Sequence, residues 1–288
     1  MDSSRFLIIG ANGQLGKALQ GRFPKAKAVD RNKLDITNLD SLQAFDWSNI
    51  DVILNAAVYA NVDGAETSEG RIAAWQVNAQ AVSYLSKIAS QHDLTLVHIS
   101  SDYVFDGTKT PHTEDEPFAP LGVYAQTKAA GDIAAAMTTK HYILRVSWLI
   151  GDGPNFVRTM IGLAAKNISP TVVADQIGRL TFTETLVSGI DKLLQAKAPY
   201  GTYNLSGDGQ PASWAEITRA IFANLGRDDL SVTDTTTAEY FKSKPTAAPR
   251  PLQSTLDLTK IKKELNLALP DWRASLKNYI EDEQAQKI

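Results

Sequence analysis

The stretch "RFLIIGANGQLG", Arg5–Gly16, decides the fold. Four apolar residues, Phe6–Ile9, run into Gly10, Gly13 and Gly16, and a helical pattern follows from Gln14 to Gly21. A short unbroken apolar run reads as a strand buried on both faces. Three glycines at a strand–turn–helix junction then acquire distinct tasks. Gly10 permits the tight turn, Gly13 lets backbone approach a diphosphate, and Gly16 lets helix and strand pack closely. The free N–H groups and dipole at the helix start favour an anion there. Asn12, Gln14 and Leu15 share the turn, so all six residues are candidate cofactor contacts.

Such a turn calls for an acidic residue about 20 positions on, at the end of the second strand. Asp30 closes "AKAVD", 30 − 10 = 20 residues past Gly10. Its carboxylate suits a ribose diol and repels a 2′-phosphate, whereas the next residue, Arg31, suits the phosphate. The two cues oppose one another, so NADH and NADPH are both expected as cofactors.

Working outward, "DVILNAA", "LTLVHISS" and "HYILRVSW" read as further buried strands, with a long helical stretch from Ser68 to Gln91. Continuous apolar strands alternating with helices argue for a parallel sheet covered on both faces. After Trp148 the rhythm loosens. Helices are expected at Phe156–Lys166 and Glu184–Gln195, strands at "TVVA" and "GTYNLSG", and a capped helix at "SWAEITRAIFANLG". "KSKPTAAPRP" reads as a proline-rich loop before a last helical region. The expected class is α/β: a Rossmann-like doubly wound parallel sheet (1–150) with a smaller mixed α/β C-terminal substrate lobe (151–288). The boundary is soft, with room for segments to interleave across it.

Composition narrows the function classes. The chain has 288 residues, a formal net charge of −3 and no cysteine. That balance gives no electrostatic case for nucleic acid, and no thiolate or disulfide chemistry is available. No apolar run approaches the roughly 18 residues of a membrane span. The four histidines lack metal-ligand spacing, so no metal is expected. A cytoplasmic protein is the expectation.

The chemistry sits after the third and fourth strands. "NAA", Asn55–Ala57, ends a strand in small residues where a cofactor can approach, and "ISSDYVFDG" places two hydroxyls, Ser100 and Ser101, at the next strand end. "VYAQTK" then sets Tyr124 and Lys128 four residues apart, on one face of a helix. Alone that pair is ordinary helix surface. His98, mid-strand, reads as a buried histidine with no catalytic part.

The combination resembles the extended short-chain dehydrogenase/reductase superfamily, and more narrowly the dTDP-4-dehydrorhamnose reductase family. The matching pieces are "GANGQLG", "LDIT", "DVILNAAVYANVDGAE", "VNA", "SSDYVFDG", "VYAQTK", "RVSWLIG", "NFVRTM", "VADQIGRLTFT" and "RPLQSTLD", spanning residues 6 to 257. The resemblance implies reduction of the C4 ketone of a 4-keto-6-deoxy sugar on dTDP to give dTDP-L-rhamnose, for rhamnose-containing surface polysaccharide. Tyr124 would be the general acid, Lys128 would lower its pKa and hold the nicotinamide ribose, and Ser101 would hydrogen-bond the same ketone oxygen.

By the same resemblance Asp35, Ile36 and Asn78 join the cofactor set. Tyr59, Val62, Asp63, Asp102, Tyr103, Trp148, Asn155, Phe156 and Arg250 join the substrate set, Arg250 toward the diphosphate. Trp148 also reads as core, Asp63 as part of a solvated helix start, and Arg250 as surface. Leu180 stands where the family has proline, which points to an altered loop at the sugar or base. Monomer and homodimer stay open as partner states, as does association or fusion with the 3,5-epimerase. The rivals are another nucleotide-sugar epimerase, dehydratase or reductase of the superfamily, or a non-catalytic cofactor-binding regulatory subunit. The dehydratases use an Asp-Glu pair after the strand-4 hydroxyl, whereas Ser101 here is followed by Asp102 and Tyr103.

Overall fold

The computed structural model describes residues 2–244 and 246–285. Five strands follow the expected apolar runs: β1 (Phe6–Ile9), β2 (Lys27–Val29), β3 (Val52–Asn55), β4 (Thr95–Ser101) and β5 (His141–Val146). Four short strands come next, β6 (Leu149–Ile150), β7 (Thr171–Val173), β8 (Ile177–Gly178) and β9 (Thr181–Phe182). β10 (Gly201–Asn204), β11 (Ala212–Ser213) and β12 (Thr233–Thr235) complete the set. The main sheet has the order β10-β5-β4-β3-β1-β2, and every neighbouring pair in it is parallel. β10 is the "GTYNLSG" strand expected in the second lobe. It lies instead beside β5, pairing Tyr203 with Leu144.

The helices are α1 (Gln14–Arg22), α2 (Leu39–Ala44), α3 (Ser68–Trp75), α4 (Ala81–Gln91), α5 (Val123–Ala136) and α6 (Phe156–Ala165). They continue with α7 (Thr183–Ala196), α8 (Trp214–Asn224), α9 (Thr237–Phe241), α10 (Thr259–Leu265) and α11 (Trp272–Ala285). Side chains alternate across a strand, and β1 divides accordingly. Phe6 and Ile8 pack with Leu15 and Leu19 of α1 and with Leu186, Val187 and Ile190 of α7. Leu7 and Ile9 pack on the opposite face with Leu42 of α2 and Val82, Leu85 and Ile88 of α4. Both faces are dry, which explains why the strands read as unbroken apolar runs.

A separate core holds the second lobe. Val157, Met160 and Ile161 of α6 meet Ile217, Ile221 and Phe222 of α8 and Trp272, Leu276 and Ile280 of α11. Three two-stranded ladders, β6/β9, β7/β12 and β8/β11, frame it.

The order around β1 positions the site. β1 pairs with β2 on one side and β3 on the other, so the connections leave toward opposite faces and a crevice opens at the carboxyl ends. Register brings those ends level: Ile9 lies beside Val29 and Asn55, Asn55 beside His98, and Ser101 beside Val146.

Candidate active site

Two hollows lie over the strand ends. One, about 720 Å³, runs between the sheet and the second lobe, and the other, about 460 Å³, lies on the β2 side. Asn12, Gly13, Ala56, Ala57 and Val58 line both, so the two form one trough.

The glycine turn behaves as its spacing requires. Gly10 has φ +85°, and a Cβ there would stand 2.7 Å from the Ala57 nitrogen. A Cβ on Gly16 would stand 2.1 Å from the Gly10 carbonyl oxygen, so α1 packs too closely on the turn for any side chain. Gly13 is the N-cap of α1, exposed and without a side-chain cap, which leaves helix-start N–H groups facing the trough. Leu15 lines the trough near its buried side, and Gln14 reaches across it to the Pro154 carbonyl at 3.1 Å.

Asp30, Arg31, Asp35 and Ile36 line the smaller hollow. Asp30 accepts from Asn12 Nδ2 at 3.1 Å and from the amides of Asn32 and Lys33. Arg31 Nε stands 3.6 Å from Asp35, whose carboxyl the Thr37 hydroxyl holds below the ordinary range. An open helix N-terminus, a cradle only glycine fits and a hollow bearing the Asp30 and Asp35 carboxylates and the Arg31 guanidinium fit a nicotinamide dinucleotide.

The hydroxyls and the lysine converge at the far end of the larger hollow. Ser100, Ser101, Tyr124 and Lys128 all line it. Helix α5 starts at Gly122, which offers no side-chain cap; Glu66 supplies one, its carboxylate accepting from the Val123 amide at 2.8 Å. That contact fixes the turn carrying Tyr124. Lys128, 1 % exposed, donates from Nζ to the Ile99 carbonyl at 2.6 Å, and burial pulls it down to about 8 against the raising effect of Asp132. The Tyr124 phenol is pushed above the ordinary tyrosine range, first by burial and then by Asp102, with a Ser101 hydrogen bond opposing. The Lys128 ammonium is directed at the Ile99 carbonyl.

Deeper groups brace this end. Arg145 Nε pairs with Asp132 at 3.0 Å, both buried. Asn55 Nδ2 meets His98 Nδ1 at 3.2 Å, and burial drives His98 well below its ordinary value, so it stays neutral. Asn78 lies in a π-helical turn, Gln76–Gln80, between α3 and α4. Its amide accepts from the Tyr59 backbone at 2.8 Å and donates to Thr127 at 3.1 Å. Asn78 thus ties the loop after β3 to α5 and lines neither hollow.

The substrate set divides. Val62, Asp102, Tyr103 and Trp148 line the larger hollow, and Tyr59 lines the smaller one, packed like Tyr124 against Ala65, Ala74 and Val123. Trp148 has φ +45°, an uncommon conformation held by the pairing of β6 with β9, and its ring stacks on Trp214 at 3.7 Å. Asn155 and Phe156 do not line the hollow. Asn155 caps α6 through the Arg158 amide, and its Nδ2 donates to Tyr279 and the Gly151 carbonyl. Phe156 packs behind Trp214 at 4.4 Å. Arg250, expected at a diphosphate, donates to Asp63 at 2.7 Å, and the Ala248 amide donates to the same carboxylate oxygen. Leu180 is fully buried in the core of the second lobe and lines neither hollow.

Sequence reasoning missed Trp214, Lys17 and the Asp152–Pro154 turn, all lining the larger hollow. Trp214 carried a signal: it is an aromatic at the first position of a helix, directly after the Ser213 cap, and so lies at the end of the helix.

A dinucleotide trough ending at a serine, a tyrosine and a lysine above a parallel sheet defines an oxidoreductase of the extended short-chain dehydrogenase/reductase class. Residues 4–285 match the family described as the RmlD substrate binding domain. A dTDP-4-dehydrorhamnose reductase of Aggregatibacter actinomycetemcomitans is 38% identical, covering 96% of this chain and 98% of the relative. A probable dTDP-4,6-dihydroxy-2-methyloxan-3-one 4-ketoreductase of Streptomyces antibioticus is 34% identical, covering 96% and 95%. The crystal structure of a dTDP-4-dehydrorhamnose reductase from Bacillus anthracis, in complex with NADP, superposes with a TM-score of 0.89 at 34% identity, covering 98% of this chain and 100% of the other. The chain belongs to the dTDP-4-dehydrorhamnose reductase family.

Proposed function

We propose that this chain reduces the C4 ketone of dTDP-4-dehydro-6-deoxy-L-mannose (dTDP-4-keto-L-rhamnose) to dTDP-L-rhamnose, with NADPH or NADH as reductant. The observation that carries the reading is the convergence of Ser101, Tyr124 and Lys128 at one end of the trough, beside the second lobe. When bound, the nicotinamide supplies hydride to the keto carbon. Negative charge then builds on the ketone oxygen, and a group must deliver a proton there. Tyr124 suits that task, because its surroundings keep the phenol protonated at neutral pH. Ser101 suits the alignment of the ketone and the stabilisation of its growing charge. Lys128, charged below about 8, supplies a cation one helical turn away.

Gly10, Asn12, Gly13 and Gln14 would hold the diphosphate, Asp30 and Arg31 the adenosine ribose, and Ala56 and Ala57 would leave room for backbone approach. Trp148 and Trp214 offer a flat wall for sugar or base. Mixing the purified protein with NADPH or NADH and dTDP-4-keto-L-rhamnose should consume the nicotinamide absorbance and yield dTDP-L-rhamnose; no loss of absorbance with either cofactor overturns the reading. The Streptomyces relative supports a second reading, a 4-ketoreductase acting on a different dTDP-keto sugar. A tenfold or greater preference in kcat/KM for such a sugar would select it.

A further inference from the structure

Asp102 is 3 % exposed, lines the larger hollow, and has no assigned part in proton delivery. Its Oδ1 lies 3.1 Å from Ser101 Oγ, and its Oδ2 has no hydrogen-bond partner among the described residues. Ser101 Oγ also accepts from the Tyr103 amide at 3.1 Å, and Tyr124 lines the same end of the hollow. A serine hydroxyl has one proton to give and two lone pairs to receive. Asp102 and the Tyr103 amide take two of those three places.

With Asp102 ionised, Ser101 gives its proton to the carboxylate, and that proton is committed within the protein. With Asp102 neutral and its own O–H directed at Ser101, the Ser101 proton becomes free for an oxygen in the hollow.

We propose that Asp102 is a positioning residue acting through Ser101, its neutral form releasing the Ser101 proton toward the ketone and its ionised form withholding it. The proposal rests on the ketoreductase reading and extends it to a group that does not itself touch the reacting atoms. Two physical effects act in the same direction. Burial raises the Asp102 carboxyl to about 6, with the Ser254 and Ser101 hydroxyls and then His112 opposing. The Asp102 carboxylate also raises the Tyr124 phenol, so neutralising it makes Tyr124 the stronger acid.

The other groups around this corner are Tyr124, Lys128 and Asp132 on α5 and His98 on β4. His112, paired with Glu116 at 2.9 Å, and Tyr103, with the Asp63–Arg250 pair beyond it, complete the set. Asp102 alone of these combines a direct contact to Ser101 Oγ through its side chain with a carboxyl that burial raises.

The test is kcat/KM of the wild type and of Asp102→Asn with the dTDP-4-keto sugar from about pH 5.5 to about pH 7.5, beside a titration of both proteins by NMR of [13C]aspartate carboxyls. An asparagine amide donates to Ser101 at every pH and so fixes the neutral arrangement. The wild type should fall about tenfold per pH unit above the Asp102 ionisation, while the variant stays flat and exceeds it at least about tenfold at the top of the range. One carboxyl resonance should titrate near 6 in the wild type and be missing from the variant. Parallel profiles overturn the proposal, as does a variant that binds NADPH normally yet is inactive throughout.

A wild type with no turnover of any dTDP-4-keto sugar is instead a failure of the ketoreductase reading. The hydrogen-bond geometry is then still decided by NMR. Ser101→Ala removes a donor to the ionised carboxylate and should move the Asp102 titration to higher pH. An unmoved titration overturns the proposal.

Discussion

The two walls of the trough are built on different plans. The sheet-side wall draws Gly10, Ala56, Ala57, Ser100 and Ser101 from three adjacent strand ends, with α5 laid beside them. The opposite wall gathers Trp148, the Asp152–Pro154 turn and Trp214 from loops and a helix start far apart in sequence. On the first wall each residue type answers to a local geometric demand, such as a turn, a close approach or a helix face. On the second, residues meet only because a separate core, spread over α6, α8 and α11, holds them there. The sheet-side wall should therefore carry chemistry and cofactor, and the far wall should set which sugar nucleotide is accepted.

The harshest test of that division is Tyr124→Phe. It removes one hydroxyl and leaves the ring that packs against the cluster of Ala65, Ala74 and Val123. A general acid contributes about 10²–10⁴-fold, so kcat should fall by about that factor while the dissociation constant for NADPH changes less than about twofold. Steady-state rates with a fluorescence titration of NADPH check both halves. A variant that keeps its turnover removes Tyr124 as the proton donor.

Gly16→Ala tests whether the sheet-side wall is as rigid as its packing implies. The new methyl would meet the Gly10 carbonyl oxygen at 2.1 Å, backbone against backbone, with no flexible side chain to give way. Overpacking of this kind costs about 1–3 kcal/mol, and the shifted turn should weaken NADPH binding as well. Gly21→Ala, on the same helix, has nothing within 4 Å of the new methyl. It should stabilise by about 0.5–1 kcal/mol. Urea unfolding of the pair measures the contrast.

The far wall should respond in substrate affinity. Trp214→Ala removes the ring stacked on Trp148 at 3.7 Å and leaves the sheet-side groups untouched. Loss of an aromatic contact of about 0.5–1.5 kcal/mol should raise the KM for the dTDP-sugar about threefold to tenfold, with the KM for NADPH unchanged. An equal rise in both would mean that the walls do not divide the work.

This contrast also explains what the sequence made legible. The glycine turn, Asp30, Ser101, Tyr124 and Lys128 were readable because fixed spacing meets fixed geometry at a strand end or along a helix. Their hydrogen bonds were not readable: Lys128 turns to Ile99, and Asn78 braces Tyr59 and Thr127. Asn155 and Arg250 matched family motifs, yet one caps α6 and the other pairs with Asp63. A motif fixes residue type, while competing partners within the chain fix direction. β10 was readable as a strand but not as the sixth member of the main sheet, since pairing across 55 or more residues leaves no local trace.

The smallest expected effect lies where the walls touch. Lys17 Nζ, on α1, meets Asp152 of the far wall at 2.9 Å, and Arg158 holds the other Asp152 oxygen at 3.1 Å while itself bound to Glu283. Both ends of the Lys17–Asp152 pair are more than half exposed, so water and salt screen it strongly. Yet Lys17 also stands one turn into the helix whose open start faces the trough, within reach of a diphosphate's field. If the pair only pins the walls, Lys17→Met should change the KM for NADPH by less than about threefold. Asp152→Asn should then do the same. If Lys17 serves the diphosphate, the two substitutions part company: Lys17→Met weakens NADPH, and Asp152→Asn, by releasing the lysine, strengthens it. Comparing the two at low and high salt therefore decides which wall owns Lys17.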